Sequence, residues 1–393
     1  MTRDLERIER TKRVLQQQQL EALILRLPEN IVMLSGYWPM NGFAFMVFSV
    51  DKDPVLIAPE AEAELAHESW VSDVRLFKWG LVDSGDPYAS IAKLLKEAAA
   101  RLGLANKPVG YEGSFEAIAA PYVAAEPGVF SQVSLGMIRQ AVGEHLVDAT
   151  GLIHRLRLYK TRDEAERLRL ANRIALLGIA AFFESVVPGK TEIEVAAAVE
   201  SAIMIGGTGL QGLKVARSWA SVMSGERASK AYKPHLLSTQ RRLVSGDLAL
   251  LELATVADGW WSDLTRTRCA GAARPADLER WQAVVDGQAA ALQAIRPGVP
   301  ANMVDKAARD VIVQRGLGPY FIHHTGHGLG LRYHEPQPFL HPAVTDVLEP
   351  GMVSSVEPGI YIDGWGGMRC EDNILVNETG MEVLSEFSRA LTG

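Results

Sequence analysis

The sequence predicts an α/β protein of two domains, residues 1–157 and 158–393, the second built from two pseudo-equivalent halves. Three observations carry this. At 393 residues and 42.8 kDa the chain exceeds what one typical hydrophobic core serves. Residues 1–157 alternate helical and strand-like segments without a charged cluster of catalytic type. Beyond them, a pair of helices recurs at a spacing of 109 residues: Pro188/Pro297, Gly189/Gly298, Val195/Val304, Ala198/Ala307, Ile203/Ile312 and Gly207/Gly316 all match.

The elements follow in order. A charged helix over about 4–19 precedes the short apolar strand ALIL. GFAFMVFSV and PVLIA read as strands either side of the turn DKD. Near Lys160 the character changes. Thr161 and Glu164 form a capping-box pattern that opens a long helix ending before Pro188-Gly189. Thr191 and Glu194 repeat the pattern and open a second helix, which stops at Gly206-Gly207. A helix over about 276–295, then Pro297-Gly298, then a helix ending at Gly316 form the second pair. Strands follow each pair, so helices outside a sheet are expected.

Composition narrows the class. With 48% apolar and 22% charged residues, the chain reads as an ordinary globular protein. A net charge of −7 gives no reason to expect nucleic acid or anionic membrane as a partner. The start, MTRDLERIERTKR, is not a secretory signal, and IALLGIAAFF is far too short for a bilayer span. Two cysteines, Cys269 and Cys370, fit a reducing cytoplasm rather than a disulfide scaffold.

The chemistry gathers in four places. Glu252 interrupts the apolar run LALLELATVA, and Asp263 follows eleven residues later with the turn signal Ala257-Asp258-Gly259 between them. A hairpin centred there sets the two carboxylates directly opposite each other. Glu357 and Glu371 are likewise symmetric about Gly364, inside the turn DGWGG. Between the two hairpins lies HHTGHGLGLRYHEP, and five of the nine histidines fall between His323 and His341. Facing carboxylates repel unless something positive sits between them. For one acid alone, an arginine such as Arg266 or Arg369 is the simple partner. Four acids together with His327 point to a metal: Mn, Co, Zn or Fe, as one or two ions per chain.

At this point the chain resembles the pita-bread metallopeptidases: methionine aminopeptidase, aminopeptidase P, prolidase and their metal-free relative creatinase. KTRDEAERLRLAN, PGKTE, GDLALLELATVADGWWSDLTRT, HHTGHGLGLRYHEP, EPGIY and GMRCED carry the resemblance, in family order. It implies a creatinase/prolidase-like α/β domain over 1–157 and a pita-bread catalytic domain with pseudo-twofold halves over 158–393. By the same resemblance Asp263 and Glu371 match carboxylates that bridge two metals, and His327 and Glu357 match the pair on the second ion. His235, His334 and His323 match histidines around the substrate, and Arg369 matches an arginine beside the metal carboxylates. Two positions depart from the pattern. Glu252 stands where the metallopeptidases have Asp, which implies a first metal site altered, weakened or lost; His324 stands where the family usually has Gly.

The resemblance implies hydrolysis of an amide bond in a short peptide, with proline in second position, by a dipeptidase or aminopeptidase. The metal would lower the pKa of its water to supply hydroxide. Glu357 would carry the proton to the leaving nitrogen, and His235 and His334 would bond the carbonyl oxygen. A metal-independent creatinase-like or ectoine-hydrolase-like enzyme is the alternative, with Glu252 as base or nucleophile; a non-catalytic binding module is the third. A homodimer, no nucleic acid and no membrane complete the expectation.

Overall fold

The computed structural model describes residues 3–40, 43–79, 85–113, 132–233 and 236–392. They form two units, the first reaching Arg157 and the second running from Leu158. In the first, Asp4 caps helix α1 (Leu5–Gln17) by accepting from the Arg7 amide at 2.8 Å. There follow β1 (Ala22–Leu25), α2 (Pro28–Ser35), β2 (Phe45–Ser49), β3 (Val55–Pro59), α3 (Ala63–His67) and β4 (Asp73–Phe77). Then come α4 (Pro87–Leu102), β5 (Val109–Tyr111), α5 (Gln132–Val142), β6 (Leu146–Asp148) and α6 (Thr150–Leu158). The strands make one mixed sheet in the order β4-β3-β2-β1-β5-β6. Strands β1 to β3 are buried along their whole length, which explains their unbroken apolar runs. The predicted ALIL strand and the hairpin across DKD are β1, β2 and β3, with Val47 opposite Val55.

The second unit opens with α7 (Arg162–Ser185) and α8 (Glu192–Gly207). Both start with complete capping boxes: Thr161 with Glu164, and Thr191 with Glu194. An antiparallel sheet of β7 (Ala216–Ser224), β8 (Leu248–Ala257) and β9 (Trp260–Cys269) follows. The second helix pair is α9 (Pro275–Ala294) and α10 (Ala301–Gln314). After it come β10 (Gly326–Gly328), β11 (Glu335–Leu340), β12 (Val353–Val356), β13 (Gly359–Ile362), β14 (Gly366–Arg369), β15 (Asp372–Val376) and β16 (Met381–Val383). They form a five-stranded sheet, β11-β10-β12-β15-β16, and the separate ribbon β13-β14.

The repeat is visible in the backbone. Gly189 and Gly298 both take positive φ, at 94° and 86°. The Gly189 amide donates to the Leu243 carbonyl and receives the strand back through Leu243 N–H to Lys190 O, each 2.8 Å. Gly298 does the same with Leu348, and Leu348 with Val299, each 2.9 Å. Each helix pair is thus pinned at its linker by a two-bond clip to a later segment.

The two hairpins differ in how they match expectation. In β8–β9, Glu252 faces Thr265 and Ala254 faces Asp263, so the two acids are not directly opposed. The turn is the two-residue loop Asp258-Gly259, with φ of 44° and 90°, and Ala257 belongs to the strand. The centre moves by one residue and the register by two. That shift keeps both acids on one face as diagonal neighbours. The second hairpin has the expected register: Gly359 pairs Arg369 in β13–β14, and Val356 pairs Asp372 in β12–β15. Glu357 and Glu371 fall opposite each other at the break between the two ladders.

Candidate metal centre

The strands bring the acids together. Asp263, Glu357 and Glu371 are buried, and Glu252 is partly so. The Glu371 amide donates to the Thr265 carbonyl at 3.1 Å, tying that break in the second hairpin to β9. The Glu357 amide donates to Thr325 O at 2.7 Å, tying it to the histidine segment. His327 enters from β10, squeezed between β11 and β12. A Cβ on Gly326 would stand 2.0 Å from Ser355 O, and one on Gly328 1.9 Å from Gln337 O. Those glycines are the condition for β10 lying where it does.

His327 Nδ1 lies 2.9 Å from the Gly328 carbonyl and so carries the proton. Nε2 is then a bare lone pair, and it faces Asp263 Oδ2 at 3.3 Å and Glu357 Oε1 at 3.5 Å. A lone pair aimed at two carboxylate oxygens is a repulsive arrangement that a cation reverses. Glu371 Oε1 is buried and has no hydrogen-bond partner among the described residues. Among the described residues, three groups have ligand atoms within 4.8 Å of one another: Asp263, His327 and His334; His327, Glu357 and Glu371; and Glu252, Asp263 and Glu371. Burial, then neighbouring carboxylates, push Asp263 and Glu357 well above the ordinary carboxylate range. Glu371 is raised by burial too, against the pull of Arg369 and His327. The donor set, mixed carboxylate and imidazole, fits a divalent first-row metal.

Around this cluster stands a second layer. The Tyr333 hydroxyl lies 2.6 Å from Glu252 Oε1 and 2.7 Å from Asp263 Oδ1. Arg369 forms an ion pair with Glu252 through Nη2, donates Nε to Thr265 Oγ1 at 2.8 Å and Nη1 to the Tyr361 hydroxyl at 2.9 Å. Thr265 in turn donates to Glu371 Oε2 at 2.7 Å. Ser355 donates to Glu357 Oε1 at 3.2 Å.

The histidines divide. His334 lies with its ring centroid 4.1 Å from that of His327, and its Nδ1 is buried without a partner among the described residues. Burial pushes it down to about 2, so it is neutral in the physiological range. His323 has both nitrogens engaged, by the His324 carbonyl at 2.7 Å and the Tyr361 hydroxyl at 3.0 Å. His324 packs on Phe339 and holds Nε2 3.7 Å from Glu357. His235 lies outside the described residues. A cavity of about 200 Å³ is lined by the acids Glu252, Asp263 and Glu357 and by His323, His324, His327, His334, Tyr333 and Arg369. Ser221, Met223, Ala231, Tyr232, Lys233 and Leu236 complete its wall.

Sequence reasoning missed Tyr333, Thr265 and Tyr361. Thr265 was accessible: it stands two residues after Asp263, on the same strand face. Tyr333 adjoins His334 in the histidine motif, but nothing in the spacing says that its hydroxyl reaches back to β8.

Comparison with known proteins agrees with this geometry. Residues 166–378 match metallopeptidase family M24, and residues 7–159 match the creatinase/prolidase N-terminal domain. The Xaa-Pro dipeptidase of Pyrococcus furiosus is 30% identical over 386 residues, covering 98% of this chain and 99% of its own. The probable dipeptidase PepE of Mycobacterium tuberculosis is 34% identical over 328 residues, 83% of this chain and 79% of its own. The crystal structure of the prolidase from Pyrococcus horikoshii aligns with a TM-score of 0.77 at 26% identity, covering 98% of this chain and 99% of that one. These relatives are peptidases by name, which does not favour the metal-independent creatinase-like reading. With its fold, its acid and histidine cluster and both matched regions in agreement, the chain belongs to metallopeptidase family M24.

Proposed function

We propose that this peptidase cleaves short peptides with proline in second position, dipeptides foremost, using a divalent metal held by His327, Asp263, Glu357 and Glu371. The observation that carries the reading is the convergence of His327 Nε2 with Asp263 and Glu357 at one cavity, with Glu371 Oε1, unpartnered among the described residues, grouped with them. A divalent ion bound there would acidify water and polarise a carbonyl oxygen. Glu357 takes the proton of the attacking water and passes it to the leaving nitrogen. His334, kept neutral by burial, offers an N–H to the substrate carbonyl oxygen. His235 takes a like role on the strength of the family pattern. Arg369 holds Thr265 and Tyr361, and through Thr265 it fixes Glu371. Lys233, which lines the same cavity, offers a cation to the free carboxylate of a dipeptide. An Xaa-Pro bond is a tertiary amide without an N–H, so the pocket need not accept a hydrogen bond from it. The names of the dipeptidase relatives support the same substrate class.

The test is hydrolysis of Ala-Pro beside Ala-Ala and an Ala-Pro-Ala tripeptide. We expect Ala-Pro to be cleaved fastest, activity to be lost to EDTA, and Mn²⁺ or Co²⁺ to restore it. Equal rates on Ala-Ala would overturn the proline preference. EDTA-resistant activity would overturn the metal dependence.

A further inference from the structure

The cluster has two unlike sides. On one side the donors are open: His327 Nε2 faces Asp263 and Glu357, and Glu371 Oε1, on a residue only 1% exposed, has no partner among the described residues. On the other side Glu252 is already satisfied. Its Oε1 takes the Tyr333 hydroxyl at 2.6 Å, and its Oε2 takes Arg369, with Thr265 Oγ1 at 3.3 Å. An ion bound to Glu252 would sit beside the Arg369 guanidinium, cation against cation, where burial weakens screening. Moving Arg369 away would also break its bonds to Thr265 and Tyr361. The longer Glu side chain and the Tyr333 hydroxyl act together, the first reaching the guanidinium and the second joining Glu252 to Asp263.

We infer that this chain holds one metal ion, on His327, Asp263, Glu357 and Glu371, and that the Glu252–Arg369 ion pair, latched by Tyr333, stands in place of a second. The inference rests on the metal-dependent reading above. Arg369 then supplies one fixed positive charge where a second ion would supply two. Tyr333 is a positioning residue, acting through Glu252 and Asp263.

Calorimetric titration of Mn²⁺ into the EDTA-treated, dialysed full chain, with elemental analysis and electron paramagnetic resonance of the loaded protein, tests it. We expect one ion per chain and the six-line signal of isolated Mn²⁺. Glu252→Gln, whose amide oxygen still accepts from Tyr333 or Arg369, should keep one ion with a dissociation constant within about threefold of the parent. Glu371→Gln should weaken binding by about 100-fold or more. Two ions per chain with a spin-coupled signal, the second lost in Glu252→Gln, would overturn the inference and leave the metallopeptidase reading intact. No bound ion would overturn both. Should either variant fail to fold by circular dichroism, the stoichiometry and signal of the parent decide the matter.

Discussion

His323 shows what burial does to a single residue. Burial first, and Arg309 further, push it down to about 4. In the unfolded chain the same imidazole takes up its proton near pH 6.5. Between those values the unfolded state binds more protons, so stability present above pH 6.5 is lost as the pH falls toward 4, by up to about 3 kcal/mol. Asp263 and Glu357 work in the opposite sense, since raised carboxyls cost the metal-free protein stability as pH rises past the ordinary carboxylate range. The informative quantity is therefore a difference. Urea unfolding of the chelated protein and of His323→Gln, at pH 7.5 and 5.0, should show the parent losing more stability on acidification than the variant. Equal losses would mean that His323 titrates normally. At this scale the gathering of the acids with His327 was legible, because hairpin spacing sets carboxylates on one strand face. Tyr333 was not, because a tyrosine beside a histidine motif reads equally well as core.

Among elements, β10 carries the sharpest constraint. At both of its glycines the nearest obstacle to a Cβ is a backbone carbonyl, which no rotamer change can move. Gly328→Ala should cost about 1–3 kcal/mol as overpacking and displace His327 from the acids. Thermal unfolding and Mn²⁺ titration of that variant should fall together; a stable variant with normal metal affinity would contradict the account. The sequence reading of the strands failed in an instructive way. Asp258-Gly259 is a two-residue hairpin signal, and counting Ala257 into the turn displaced the register by two. Because strand faces alternate with period two, the face assignment of Glu252 and Asp263 survived that error. The helices were easier. Threonine caps and Pro-Gly breaks are local features, whereas the division of the later strands into a five-stranded sheet and a separate ribbon depends on contacts far apart in sequence.

For the whole molecule, a metal on the proposed ligands would couple to folding. The second unit buries three carboxylates around one imidazole, and the unfolded chain offers no such preformed site. Ligand that binds only the folded state at 100 times its dissociation constant adds about 2.7 kcal/mol. For a unit of this size that is a rise in midpoint of about 5–10 °C. Differential scanning calorimetry with EDTA and then with excess Mn²⁺ should show this rise in the transition that unfolds residues 158–393. A midpoint indifferent to Mn²⁺ would mean that the acids are held by protons alone. The pairing of the helices was legible from the repeat punctuation, and the clips at Gly189 and Gly298 give that punctuation its physical meaning.

The second hairpin keeps one register from Val353 to Leu375, across the break that holds Glu357 and Glu371. Its loop at Asp363-Gly364-Trp365 therefore works as a measuring rod. The identity of the residues at that tip is open to change, since a Cβ on Gly364 would meet nothing within 4 Å, although its positive φ disfavours most side chains. Their number is not open. One residue more or fewer would slide one carboxylate past the other and turn its face away. The spacing of these two proposed ligands is thus dimensioned by a count of residues at a loop that never touches them.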